Sequence, residues 1–200
     1  MTTTPTWTID VVSDVVCPWC YIGKRKLEAA LELARAAGLG EPEVRWHPFQ
    51  LNPDMPAEGL ARKQYLEDKF GGAQRASEIY ARVKAAGRAA GLELDIDGIT
   101  LQPNTLAAHA LLAFAQQQGP LVGSDLKERL LKAYFVENRF IGSTDELVAI
   151  AAEAGLDADA ARATGPVFGL ASLREVAHLS IGADDAVRVV DAAALFVGLF

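Results

Sequence analysis

The chain has 200 residues, half of them hydrophobic, enough to bury one core and a subdomain inserted into it, and this excludes a disordered polypeptide. Nineteen Lys and Arg against 26 Asp and Glu give a formal net charge of −7, and without a basic run this excludes a nucleic-acid surface. Residues 1–8 lack the basic start and apolar core of an export signal, and the last apolar run, 192–200, is too short to span a bilayer, so a cytoplasmic protein without membrane contact is expected.

Residues 6–12 place Trp7, Ile9 and Val11 on one face and predict a strand, with Val12 suggesting cover on both faces. A helix is predicted to about Ala37, with Leu27, Ala30, Leu31 and Ala34 at helical spacing and Gly38 where a C-terminal cap belongs. Residues 43–47 predict a second strand that Pro48 ends or places at an edge. Strand, helix and strand at this spacing imply a parallel βαβ unit, whose ligands bind beyond the strand C-termini.

The two cysteines of the chain lie at that place, in Cys17-Pro18-Trp19-Cys20. Helical spacing of three puts their Cβ atoms roughly 5–6 Å apart, a small adjustment from the roughly 4 Å that a disulfide needs. Unpaired N–H groups of the first helical turn favour a thiolate on Cys17, and Pro18 suits the first helical position. Cys20, one turn in, is expected to be more buried; Cys17 then exchanges with substrate and Cys20 resolves the mixed disulfide. A zinc site is the weaker reading, since tetrahedral zinc needs four ligands, there is no third cysteine, and His47, His109 and His178 show no ligand spacing. Two inert buried cysteines would leave the strand, CxxC and helix order to chance.

Residues 50–59, with Pro53 and Pro56, read as a loop leaving the sheet. Helices are predicted over 60–70, 73–90, 104–118, 124–137 and 143–154, separated by Gly71-Gly72, Gly91, Gly119-Pro120 and Gly142. Ser143 and Glu146 have capping-box spacing, and Asn104-Thr105 reads as an N-cap. His109 is by residue type a packed helix residue before it is a catalyst. Phe70, Tyr80, Phe114, Tyr134, Phe135 and Phe140 read as core or interface, whereas Trp46 and Phe49 are placed to floor a groove.

The stretch from Asp14 through Cys17-Pro18-Trp19-Cys20 to Lys24 resembles the DsbA family of thiol-disulfide oxidoreductases, in particular its cytoplasmic FrnE-like branch. Trp46-His47-Pro48-Phe49-Gln50-Leu51-Asn52-Pro53, Pro103-Asn104-Thr105-Leu106 with His109, and Ala133-Tyr134-Phe135 with Ile141-Gly142 extend the resemblance over residues 7–155. It implies an α/β thioredoxin-like fold with a large inserted all-helical domain, the thioredoxin-like part at 1–55 and 161–200 and the insertion at 56–160. It also implies Cys17 as nucleophile, Cys20 as resolving thiol, and Pro18, Trp19, His47, Pro48, Phe49, Asn104 and His109 as the motif and substrate groove. The redox-active cysteine pair is then the only redox group, with no metal, and the partners are protein or small-molecule thiols and disulfides. The wider group includes glutathione-dependent 2-hydroxychromene-2-carboxylate isomerases, which makes glutathione a candidate ligand near Pro103 and Asn104 and such an isomerase the alternative activity.

The resemblance also calls for a Val-Pro loop facing the cysteines, then an antiparallel strand pair and a last helix. After Gly155 the only proline is Pro166, in the order Gly165-Pro166-Val167. Ser172 and Glu175 have capping-box spacing ahead of a helix to about Leu179, 184–194 reads as a further helix, and 187–190 and 195–200 read alternatively as strands. The tail is therefore expected to be divergent, truncated or out of frame. An inactive remnant is the third reading, and an open sheet edge favours a homodimer.

Overall fold

The computed structural model describes residues 7–164 and the two-residue strand Val190–Asp191. Pro166, the capping box at Ser172 and the rest of the expected C-terminal elements lie outside the described residues. Strand β1 (Thr8–Ser13) runs into helix α1 (Pro18–Ala36), and strand β2 (Glu43–Pro48) returns parallel to β1, from Thr8 opposite Glu43 to Ser13 opposite Pro48. The predicted βαβ unit is present, and with β5 (Val190–Asp191) the order among the described residues is β2-β1-β5, which puts β2 at the edge, where a proline costs no ladder bond. The α1 helix stops where expected, and Gly38 takes the left-handed φ of +74° that closes such an end.

The next stretch departs from the helix predicted over 60–70. Leu60–Ala61 forms strand β3, paired antiparallel with β4 (Leu101–Gln102), and helix α2 (Arg62–Phe70) begins only after it. Two-residue strands carry no alternation for a sequence pattern to detect; their pairing is a tertiary contact. Gly59 leads into β3 at φ +77°, and a Cβ there would lie 2.5 Å from the Gln102 carbonyl oxygen, so only glycine fits. Helix α3 (Ala73–Ala89) matches its prediction within a residue.

Helix α4 (Leu106–Gln118) is followed at once by α5 (Pro120–Phe135), which starts four residues before the expected Ser124. Gly119-Pro120 reads as a break, but the proline occupies the first helical turn, where its missing N–H is harmless. Helix α6 (Thr144–Glu153) carries the expected N-cap, Ser143 Oγ accepting from the Glu146 N–H, and a short α7 (Ala158–Ala163) follows, capped by Asp157.

One hydrophobic cluster joins the sheet to the helices: Ile9, Val11 and Trp46 pack with Leu111, Leu126, Leu130, Phe135 and Ile150. Each fully buried Leu or Phe of this set contributes about 1.5–3 kcal/mol relative to exposure. Helices α4 and α5 pack on each other and on β2, so the helical part is docked directly on the strand next to the cysteine motif. Among the described residues no helix is long and apolar enough to cross a membrane.

Candidate active site

Cys17 is the N-cap of α1, with extended backbone (φ −97°, ψ 110°), and Pro18 is the first helical residue, as its fixed φ requires. Cys17 is half-buried and Cys20, one turn in, is buried; both are free thiols. The asymmetry expected from the sequence is therefore realised.

The two thiols titrate as a pair. The hydrogen bond between the two thiols, assisted by the Lys127 charge, the Ser13 hydroxyl and the Asp14 backbone, brings Cys20 down to about 7 against the opposing effect of burial. The same hydrogen bond, burial and the negative neighbours Cys20 and Asp14 push Cys17 well above the ordinary thiol range. The pair shares one proton, and its first ionisation is easy while its second is hard, because two thiolates cannot sit side by side. The first ionisation belongs to the pair, with the charge shared across the hydrogen bond between the two sulfurs. The helix N-terminus favours a negative charge at Cys17, and a cation contributed by a distant helix favours one at Cys20.

That cation is Lys127 of α5, which sequence reasoning passed over. It is fully buried, its Nζ has no hydrogen-bond partner among the described residues, and it lies 5.7 Å from the centroid of the Trp46 ring. Burial draws its pKa down to about 8, opposed by the negative charges of Cys20, Asp14 and Cys17. A signal was present: Lys127 stands three before Leu130 and seven before Tyr134, on the apolar side of α5. The neighbouring Glu128 fixes that helix against α1, accepting from Tyr21 Oη (2.7 Å), Lys24 Nζ (2.7 Å) and Arg25.

Asp14 forms the second buried centre. Its Oδ1 accepts from the Val15 N–H (2.7 Å) and its Oδ2 from the Leu51 N–H (2.8 Å), while His109 Nε2 lies 3.1 Å from Oδ1 and 3.1 Å from the Phe49 carbonyl oxygen. Two acceptors at one nitrogen make Nε2 the protonated atom of the ring. Against burial, the His109 hydrogen bond and charge and the Leu51 N–H hold Asp14 below the usual carboxylate range. Asp14 thus ties the end of β1 to the loop after β2 and to α4. It stands within the motif stretch but was not singled out as a site residue.

The remaining predicted groove residues divide. Trp19 and Pro18 line a cavity of about 310 Å³ beside Cys17, together with Leu51, Asn52 and the aromatic side chains Phe70 and Tyr80. His47, Pro48, Phe49, Asn104 and His109 stand outside that lining. His47 Nε2 instead meets Asp10 Oδ1 at 2.6 Å, and Asn104 caps α4 through the Leu106 N–H (2.9 Å) and donates to the Met55 carbonyl (2.6 Å). Phe49 acts through its carbonyl, its ring being exposed, and Trp46 is buried core, its backbone bonded twice by Gln116 and its Nε1 donating to Ser124. Neither residue lines the cavity at Cys17: Trp46 instead lines a separate groove with Leu27, Leu31 and Pro120, and Phe49 is exposed outside both.

A family model described as the DSBA-like thioredoxin domain matches residues 8–166. The uncharacterized protein YwbO of Bacillus subtilis (strain 168) is 29% identical over 154 residues, 74% of this chain and 66% of that protein, so the match spans just under two thirds of the relative's length. The crystal structure of the probable DsbA oxidoreductase SCO1869 from Streptomyces coelicolor superposes with a TM-score of 0.73 at 27% identity, over 86% of this chain and 75% of that one. The cytosolic disulfide reductase DsbM from Pseudomonas aeruginosa, at a TM-score of 0.57 and 20% identity, covers 85% of this chain and 76% of its own, and shares the fold. So does a 2-hydroxychromene-2-carboxylate isomerase at a TM-score of 0.55 and 13% identity, over 85% of this chain and 78% of that one.

Proposed function

The chain belongs to the DsbA-like thioredoxin domain family, and on that premise we propose that it exchanges disulfides through Cys17 and Cys20. The observation that carries this is the graded burial of two free thiols one helical turn apart, the outer one at a helix N-cap on a cavity and the inner one beside a buried lysine. In the reductive direction the Cys17 proton passes to the Cys20 thiolate across their hydrogen bond, and the Cys17 sulfur attacks one sulfur of the substrate disulfide. The other substrate sulfur leaves with the bonding pair. Cys20, losing its proton again, attacks Cys17, releases the second substrate thiol and closes the Cys17–Cys20 disulfide. Oxidation of substrate dithiols is the same sequence reversed, and the relative stability of the two redox forms sets the direction. The presence of two cysteines spaced as CxxC, with no further cysteine to form a structural bridge, supports a place in a reducing, cytoplasmic compartment.

Reduction of a protein disulfide by wild type, Cys17→Ser and Cys20→Ser tests the assignment. Cys17→Ser should be inactive and Cys20→Ser should accumulate the mixed disulfide; equal rates for wild type and Cys17→Ser would overturn it. The apolar cavity at Cys17 supports a second reading, glutathione-dependent isomerisation of a small molecule. Activity on such a substrate that survives Cys20→Ser would select it, since isomerisation needs no resolving thiol.

A further inference from the structure

Resting on the thiol-exchange reading, we propose that the cavity at Cys17 binds a small anionic thiol or its disulfide, an apolar aryl or alkyl body carrying a carboxylate. Its walls come from both parts of the fold: Cys17 and Trp19 on one side, Phe70, Ile79 and Val83 of α2 and α3 on the other. About 310 Å³ of space suits a small molecule. A polypeptide would place backbone amides against these apolar walls without partners.

The anionic part follows from two cations. Among the described residues Lys69 is the only Lys, Arg, Asp or Glu in the lining; it donates to Tyr65 Oη (2.7 Å), which donates to Asn52 Oδ1 (2.8 Å), forming a polar row along one side. One turn before Tyr65 on the same face of α2 lies Arg62, 2% exposed, whose bonded partners among the described residues are all neutral: Gln102, Tyr134 and Tyr80. Its Nε has no partner there. Arg62 itself lines the neighbouring cavity with Glu67 and Asp97, so it acts on the cavity at Cys17 only through its bonded partners. Two of its partners, Tyr80 and Gln102, line the cavity and carry its field to the ligand. The pairing of β3 with β4 holds this arrangement, since it sets Arg62 next to Gln102.

The chemistry is the exchange already described: the Cys17 thiolate breaks the ligand S–S bond, one small thiolate leaves, and Cys20 expels the second, so that one disulfide is reduced as the cysteine pair is oxidised. The test is single-turnover release of thionitrobenzoate when reduced full-length protein meets 5,5′-dithiobis(2-nitrobenzoate), with neutral 4,4′-dithiodipyridine as the second probe. Wild-type rates should saturate with the carboxylated probe. Lys69→Met should raise its half-saturation concentration about three- to fivefold, the weight of one exposed ion pair, and leave the neutral probe unchanged. Ile79→Trp, which fills the cavity from a half-buried position, should abolish saturation with both probes. Rates linear in probe for wild type, or unchanged by Ile79→Trp, would overturn the proposal. If Cys17→Ser releases thionitrobenzoate like wild type, the thiol-exchange reading itself fails; if Cys17 reduces protein disulfides but shows no saturation, only the ligand class fails.

Discussion

Replacing Lys127 with Met removes a charge from the interior at nearly constant volume, and two consequences of opposite sign follow. The first concerns the thiols. The fall of Cys20 from 9.0 to about 7 corresponds to about 3 kcal/mol in favour of the thiolate, of which the Cys17 hydrogen bond is the largest part and Lys127 the next favourable one. Losing the Lys127 contribution raises the first ionisation of the pair, and a rise of about one pH unit would lower thiolate near pH 7 about fivefold. The second concerns the fold. Lys127 ionises at 10.5 when free and at about 8 when folded, so burying its charge costs about 3 kcal/mol near neutrality. Between these values the unfolded state binds more protons than the folded one, and this contribution makes wild-type stability rise with pH. The Met variant lacks that slope, so it should be more stable by up to about 3 kcal/mol near pH 7 and lose this advantage by about pH 10.5. Thiolate ultraviolet absorbance and alkylation rate against pH, with urea unfolding of both proteins across the same range, measure the two effects. An unchanged thiolate titration, or a Met variant no more stable at pH 7, would refute the assignment of Lys127 as a charged group beside the cysteines.

Asp14→Asn should destabilise by about 2–4 kcal/mol, since it breaks a buried charged network whose other members stay behind. Because the folded pKa of Asp14 is depressed, its contribution is present above the ordinary carboxylate range and is lost as pH falls through the folded value; urea midpoints should therefore show a smaller acid-side decline in the Asp14→Asn variant than in wild type. Gly59→Ala, forced into φ +77° and against the Gln102 carbonyl, should cost about 1–3 kcal/mol and lower the melting temperature, whereas an ordinary loop glycine would tolerate alanine. Glu128→Gln removes the anion shared by Lys24 and Arg25 and should speed hydrogen exchange in the first turns of α1 while α6 stays unchanged.

Much of this molecule follows from local pattern. The βαβ start, the proline in the first turn of α1, the N-cap at Ser143 and the graded burial of Cys17 and Cys20 arise from hydrophobic period and from backbone groups within a few residues, which a linear sequence displays directly. The Cys-Pro-Trp-Cys motif therefore marked both the family and the two thiols of graded burial. The site around it arises from contacts across long separations. Lys127 reaches Cys20 from a helix far along the chain, His109 reaches Asp14 from 95 residues away, and Arg62 is placed by two strands too short to leave a sequence pattern. Charge effects in a desolvated interior act through distance in space and not along the chain. The sequence alone therefore determined where the two thiols stand; the packing of α4 and α5 onto β2 brought a buried cation to them, and the docking of α2 and α3 shaped the cavity beside Cys17.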